Sequence, residues 1–341
     1  MSYELKKWFQ EKKRSFPWRE NPTPYAVWIS EIMLQQTRAS VVIQYFLRWM
    51  EKFPTVELLA QASSLEVMKA WEGLGYYSRA RNIHEAAKSF VDGVIPSSLN
   101  DLLQVKGIGA YTAGAILSFA YHQKAPAVDG NVARVISRFF GIEGDLTSSS
   151  KKKELEEKTM AFLPDSEPWI VMEALIELGA SICQKRPFCE KCPLRSGCFA
   201  FSHNKTEEIP FVKKRKQISY LHKQVAIIFF ENEVLLEVKE SNLFAGLAQF
   251  PSFLYSIEKD LESQIKESLN LEVLWRGELP KEKQSYTTYQ EDLFPFCFDV
   301  FTKRAVPGFI WYKIEEILNL PFSSGHKRIL CHVMKYLESL E

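Results

Sequence analysis

The sequence predicts two domains of different class: an all-α domain over residues 1–205 and an α+β domain over 221–341, joined by a linker at 206–220. Three observations carry that reading. From about residue 25 to 200, apolar side chains recur at three- and four-residue spacing, and Gly and Pro cut them into short runs. After Cys198 a polar stretch leads into the basic run Lys213-Lys214-Arg215-Lys216. Beyond it, β-branched and aromatic segments separated by turn residues read as strands. A chain of 341 residues can bury two cores without disulfide support. With 46% hydrophobic and 25% charged residues, disordered and fibrous classes are excluded.

In chain order, the start Met1-Ser2-Tyr3-Glu4-Leu5-Lys6-Lys7 is charged too early for a leader, and no stretch approaches the ~20 apolar residues of a membrane span. The expectation is a soluble, cytoplasmic protein. Val41, Val42, Tyr45, Phe46 and Trp49 mark an amphipathic helix. Pro54, Gly73-Leu74-Gly75, Pro96, Gly107-Ile108-Gly109, Pro126, Gly141 and Pro164 punctuate the rest of the first domain. Leu99-Asn100-Asp101 and Asp129-Gly130-Asn131 offer capping side chains, the latter ahead of a helix over 132–140. In the second half, 225–230 and 234–238 read as a hairpin across Glu231-Asn232-Glu233, 294–301 as a further strand, and 258–269 and 327–340 as helices.

The net charge of +1 hides an asymmetry, since residues 1–220 sum to +6 and 221–341 to −5. Only the front of the chain is suited to a polyanion, although an excess of this size also fits a solvated surface.

Four segments carry chemistry. Glu31, within Ala26-Val27-Trp28-Ile29-Ser30-Glu31-Ile32-Met33-Leu34-Gln35-Gln36-Thr37, is a lone carboxylate on a largely apolar helix. Burial there favours the protonated acid near neutral pH, whereas a solvated stripe would leave an ordinary surface carboxylate. Gly107-Ile108-Gly109, ahead of Ala110-Tyr111-Thr112-Ala113-Gly114-Ala115, makes a tight turn whose backbone N–H groups can meet a phosphate. Asp129, by itself a helix cap, is a candidate partner for Glu31, because cleavage of an N-glycosidic bond calls for one protonated and one ionised carboxylate. Cys183, Cys189, Cys192 and Cys198 crowd one loop with Lys185, Arg186, Lys191 and Arg195; four thiolates there suit a [4Fe–4S] cluster or a zinc ion. The six histidines have no metal spacing, and Cys297 and Cys331 read as packing residues.

Taken in order, these segments resemble the MutY adenine-DNA glycosylases of the endonuclease III, or helix-hairpin-helix, superfamily. The resemblance extends to Pro17-Trp18-Arg19, to residues 73–82 around Gly73-Leu74-Gly75-Tyr76-Tyr77, and to Glu173-Ala174-Leu175-Ile176-Glu177-Leu178-Gly179-Ala180. More weakly, Leu243-Phe244-Ala245-Gly246-Leu247-Ala248-Gln249-Phe250-Pro251 resembles the Nudix-like domain with which that family inspects 8-oxoguanine. The resemblance implies a helix-hairpin-helix glycosylase domain with an iron–sulfur loop at 183–198 and a Nudix-like α+β domain. It implies a monomer acting on double-stranded DNA with A:8-oxoG or A:G mispairs, nucleoid-associated in a bacterium.

It further implies roles for individual residues. Glu31 protonates the flipped adenine and later helps activate water, while Asp129, with Tyr111 and Asn131, stabilises the oxocarbenium ion. Arg19, Leu34, Gln36 and Glu177 line the adenine pocket. Gln35 and Tyr76 wedge beside 8-oxoguanine, and Gly107 and Gly109 hold a backbone phosphate, where a monovalent cation is also allowed. Bifunctional endonuclease III types carry a Schiff-base lysine where this chain has Tyr111, so base removal without strand cleavage is expected.

Two departures stand out. The interval Cys183-x5-Cys189 is one residue shorter than the family's usual six, which removes up to ~3.5 Å of reach. The family's His-x-Phe-Ser-His is replaced by Gln284-Ser285-Tyr286-Thr287-Thr288, leaving Tyr286, Thr287 and Thr288 to face the lesion and predicting a smaller preference for 8-oxoguanine. A Nudix hydrolase is excluded at 263–271, which keeps one carboxylate where Mg²⁺ chemistry needs several oxygens. The alternatives are a bifunctional endonuclease III type enzyme and a non-catalytic, structure-specific DNA-binding protein.

Overall fold

The computed structural model describes residues 1–211, 218–238, 244–286 and 288–339. The chain divides into two compact units, Met1–Gln61 with Asn82–Lys214, and Ala62–Arg81 with Arg215–Glu341.

The helices from the N-terminus are α1 Ser2–Lys12, α2 Pro17–Glu20, α3 Pro24–Leu34, α4 Ala39–Lys52, α5 Val56–Gln61, α6 Ser64–Ala70, α7 Ser78–Ser89, α8 Leu99–Gln104, α9 Ala110–Ala115, α10 Gly130–Phe140, α11 Ser149–Phe162, α12 Pro168–Ser181 and α13 Phe199–Ser202. The sequence dictates their ends. Thr23 caps α3 by accepting from Ala26 N at 3.1 Å, with Pro24 at the first helical position. Asp129 caps α10, and Gly141 closes it in the left-handed conformation. The cap of α8 is Ser98, which accepts from Asp101 N at 3.2 Å, so the capping side chain lies one residue before the expected Leu99-Asn100-Asp101. After α9 the backbone widens into a π-turn over Ile116–Ala120, a feature that often marks functional sites.

Nine consecutive residues of α3, Tyr25 to Met33, are buried, which fits a helix that is apolar on nearly every face. It packs against α4 and α9, while α12 packs against α1 and α10. Two glycines near the site allow close packing: a Cβ on Gly114 would stand 2.0 Å from Pro126 O, and one on Gly179 2.7 Å from Asn131 Cβ.

In the second unit the strands are β1 Ser219–Phe230, β2 Glu233–Val238, β3 Ala248–Gln249, β4 Ser252–Leu254, β5 Leu274–Glu278, β6 Glu282–Tyr286, β7 Tyr289–Asp299 and β8 Phe309–Lys313, with α14 Leu261–Leu269, α15 Ile314–Ile317 and α16 Ser324–Glu338. They form one mixed sheet in which β1 and β7 run parallel from Ser219↔Tyr289 to Phe229↔Asp299. Because side chains alternate across a strand, β1 feeds two cores. Val225, Ile227 and Phe229 join Ile329, Leu330 and Val333 of α16, while Ala226 and Ile228 join Leu261, Ile265 and Leu269 of α14. The expected hairpin and helices are present, the helices starting at 261 and 324 rather than 258 and 327.

Residues 62–81, expected inside the first domain, group with the second unit. Within that unit Lys69 Nζ donates to Leu318 O and Leu320 O at 2.8 and 2.9 Å. Glu72 accepts from Phe322 N at 2.9 Å, and Tyr77 Oη donates to Phe322 O at 3.1 Å. Cys297 is buried as expected, whereas Cys331 is exposed on α16. Among the described residues, no helix is long and apolar enough to cross a membrane.

Candidate active site

A cavity of about 980 Å³ in the first unit gathers residues from α2, α3, α9, α10 and α12. It is lined by Arg19, Glu31, Leu34, Gln35, Gln36, Tyr111, Asp129, Asn131 and Glu177, so nine sequence-predicted residues from five stretches of chain meet there.

Glu31 is 6% exposed. Burial is the largest influence on its carboxyl and, with the neighbouring charges of Asp129 and Glu173, pushes the pKa up to about 7; the Tyr111 hydrogen bond and Arg19 oppose this. Tyr111 Oη donates to Glu31 Oε2. Burial and the two nearby carboxylates hold the Tyr111 phenol well above its usual range, so it remains a donor.

Asp129 sits in a different setting because its side chain is also the cap of α10. Its Oδ1 accepts from Asn131 N at 2.9 Å and Val132 N at 2.8 Å, and its Oδ2 accepts from Asn131 Nδ2 at 2.8 Å. Burial raises its pKa while these three bonds and Arg134 pull it back. The two carboxyls thus differ as acid chemistry requires, one dry beside a phenol and one wrapped in N–H donors.

Several residues that sequence reasoning missed complete the site. Arg14 Nε lies 2.5 Å from Glu177 Oε1, and Arg19 bridges Glu177 Oε2 at 3.0 Å and Glu173 Oε1 at 3.3 Å. The signal for Glu173 was available, since it stands one helical turn before Glu177 and so shares its face. Arg134 donates to Asn131 Oδ1 at 2.9 Å, Gly179 O at 2.8 Å and Cys183 O at 2.7 Å, linking the base of the site to the cysteine loop.

Cys183, Cys189, Cys192 and Cys198 line one small pocket with Arg138 and Arg195. Arg138 fastens this loop by donating to Ile209 O at 2.8 Å, Gln184 O at 2.6 Å and Lys185 O at 3.0 Å. Burial raises the Cys189 and Cys198 thiols and pushes Cys192 up to about 12. Among the described residues no three His, Cys, Asp or Glu side chains form a group placed to hold a single metal ion.

The remaining predicted residues do not line the large cavity. Gly107, at φ +87°, and Gly109, the cap of α9, form the expected turn, and a Cβ on Gly109 would meet nothing within 4 Å. Tyr76, in the second unit, is 43% exposed at φ +47° beneath the Arg79 guanidinium. Tyr286 pairs with Tyr289 across the β6–β7 turn, donates to the buried Glu291 and packs edge-on against Phe244. Gln284 is buried, 2.6 Å from Glu291 Oε2. Thr288 O accepts from Ser219 N at 2.8 Å, and Thr287 lies outside the described residues.

Residues 29–164 match the HhH-GPD superfamily of base excision DNA repair proteins. The chain is 43% identical over 209 residues to a Rattus norvegicus adenine DNA glycosylase, covering 58% of this chain and 40% of the rat protein. To the Mus musculus adenine DNA glycosylase it is 30% identical over 393 residues, covering 95% of this chain and 76% of the mouse protein. A solved thermostable thymine-DNA glycosylase is similar at a TM-score of 0.55 and 28% identity, covering 59% of this chain and 95% of that one. The chain therefore spans less than half the rat relative's length and three quarters of the mouse relative's.

Proposed function

The chain belongs to the adenine DNA glycosylases of the HhH-GPD superfamily, and on that premise we propose that it removes adenine mispaired with 8-oxoguanine or guanine by hydrolysing the N-glycosidic bond, without cutting the strand. The observation that carries this reading is the pairing of a buried Glu31 with an N–H-wrapped Asp129 in one cavity.

Adenine in a duplex is stacked and must be flipped out before its glycosidic bond can be reached. In the cavity, Glu31 is held near half-protonation at neutral pH and gives its proton to adenine N7, which makes the base a better leaving group. As the bond to C1′ breaks, positive charge develops on the sugar, and Asp129, held by Asn131 and the start of α10, faces that charge. The ionised Glu31 then takes a proton from the attacking water. Arg19, Leu34, Gln36 and Glu177 hold the base, while Gln35 and Tyr76 wedge into the stack on the 8-oxoguanine side. Tyr111 cannot form a Schiff base, so the product keeps an intact strand.

Gly107, at a positive φ that turns the chain, and Gly109, where a Cβ would meet nothing within 4 Å, would hold a backbone phosphate, with a monovalent cation as an allowed co-ligand. Cys183, Cys189, Cys192 and Cys198 would hold a [4Fe–4S] cluster. Four cysteine side chains ringing one pocket suit a multi-atom cluster. Such a cluster would supply structure to the loop rather than chemistry to the base. Tyr286, Thr287 and Thr288 are the reader residues of the second, Nudix-like unit. The chain acts as a monomer on chromosomal DNA.

The test is adenine release from duplexes carrying adenine opposite 8-oxoguanine, guanine and thymine, with and without alkali. Expected are free adenine from the first two and strand breaks only after alkali; breaks without alkali, or release of an oxidised pyrimidine instead, would overturn the reading.

A further inference from the structure

Arg19 is confined on several sides. Its Nε lies 3.3 Å from Glu173, its NH1 3.0 Å from Glu177 and 2.9 Å from Arg14 O, and its guanidinium sits over the rings of Phe9 and Phe16. Glu177 divides itself between Arg19 and Arg14, whereas Glu173 makes its close ion pair with Arg19. Both carboxylates project from α12, one turn apart.

Across the same cavity stands Glu31 on α3. The groups that face it are Tyr111 from α9, Asp129 from the cap of α10, Glu173 and Glu177 from α12, Arg19 from α2, and Arg14 and Arg38 from the cavity wall, with Lys13 behind Glu173. Among them, the Tyr111 hydrogen bond and, more weakly, Arg19 favour an ionised Glu31, while Asp129 and Glu173 disfavour it. The fate of Glu31's proton therefore depends on where the Arg19 charge rests and how fully it is matched.

We propose that Glu173 is a positioning residue for the proton donor: together with Glu177 it holds Arg19 against α12, matching the guanidinium charge and keeping it off the Glu31 carboxyl. The proposal rests on the reading of Glu31 as the acid that releases adenine. Removing the charge of Glu173 acts twice in the same direction. A like charge near Glu31 disappears, and Arg19 is left with a carboxylate that it shares with Arg14, free to turn its charge toward Glu31. Both changes favour loss of the Glu31 proton, and a general acid without its proton is inactive. Glu173 touches neither the base nor the sugar in this scheme; it acts through Arg19.

The experiment is single-turnover adenine release from an A:G duplex between about pH 5 and about pH 9, with wild type, Glu173→Gln and Glu173→Asp. In Glu173→Gln the alkaline limb should move down by about one pH unit, so that the rate falls roughly tenfold above neutrality and stays within about twofold of wild type at the acid end. Glu173→Asp, which restores the charge, should return the limb toward its wild-type position. A uniform loss at every pH with the limb in place means a merely structural role and overturns the proposal. Should Glu173→Gln fail to fold, Arg19→Gln gives the opposite arm: with the guanidinium gone the limb should move up, and an unmoved limb overturns the proposal. A wild-type chain that releases no adenine sinks the functional reading and the proposal with it, whereas release with an unmoved limb sinks the proposal alone.

Discussion

Keeping Glu31 dry has a cost that can be measured. Its carboxyl is raised to about 7 in the folded chain from an ordinary value of 4.5. Between those values the unfolded chain gives up a proton that the native state keeps, so native stability falls as pH rises through that window and stays lowered above it. The shift corresponds to about 3 kcal/mol at most. Glu31→Gln keeps an acceptor for the Tyr111 hydroxyl and has no charge to bury. At pH above 7 it should therefore melt higher than wild type, and near pH 4 the two should melt together; equal melting at both would contradict a buried, ionising Glu31. The same substitution should lower single-turnover adenine release by about 10²–10⁴-fold, the usual weight of a general acid. The wild-type rate should itself fall as pH rises through about 7, because the acid form is then lost, and an acid limb should appear where Asp129 becomes protonated. A pH-independent rate over the neutral range would count against Glu31 as the acid.

The short helices matter chiefly for where their ends fall. α9 delivers Tyr111 and α10 begins at Asp129, and the segment between them passes Gly114 so closely that a Cβ there would stand 2.0 Å from Pro126 O. Backbone cannot yield as a flexible side chain would, so Gly114→Ala should force α9 and residues 126–129 apart, costing about 1–3 kcal/mol. Tyr111 and Asp129 would separate with them, and adenine release should fall further than the loss of stability explains, measured at a temperature where circular dichroism shows the variant folded. Unchanged activity would mean that the site does not depend on this contact. Much at this scale was legible in the sequence. The run around Glu31 read as a largely apolar helix with the carboxylate's burial left open, Gly107-Ile108-Gly109 as a tight turn, and β-branched and aromatic segments between turn residues after 220 as strands. What was hidden has a common cause, since periodicity reports local structure and not the face an element meets. Nothing near Arg19 signals two partners on α12, some 150 residues later, and nothing in residues 62–81 shows that Lys69, Glu72 and Tyr77 bond to residues 318–322 of the second unit. The π-turn after α9 was invisible for the same reason, because an apolar run there reads equally well as plain helix.

At the scale of the whole chain, the +6 of residues 1–220 against the −5 of 221–341 predicts that the first segment supplies most of the contacts to DNA phosphates. Affinity that comes from neutralising phosphates falls with salt at about 0.9 of a log unit per contact, while contacts that read a base add little to that slope. The cysteine loop is the sharpest place to measure this. Lys185 and Arg186 are exposed and form no ion pair among the described residues, while Arg138 holds the loop beneath them by its backbone carbonyls at 184 and 185. Their cations therefore stand on a fixed platform that does not need them for its own stability. Replacing both with Gln should leave the melting temperature nearly unchanged and reduce the slope of log affinity against log salt by up to about two. Lys281 and Lys283 supply the comparison, since both lie within 4 Å of Asp292 in the second unit, at 2.6 and 3.9 Å. Neutralising that pair should leave the slope in place, because cations already matched within the protein release few counterions from the duplex. Equal changes from the two pairs would mean that both segments grip phosphates, and the charge asymmetry would then have no bearing on how the protein holds its substrate.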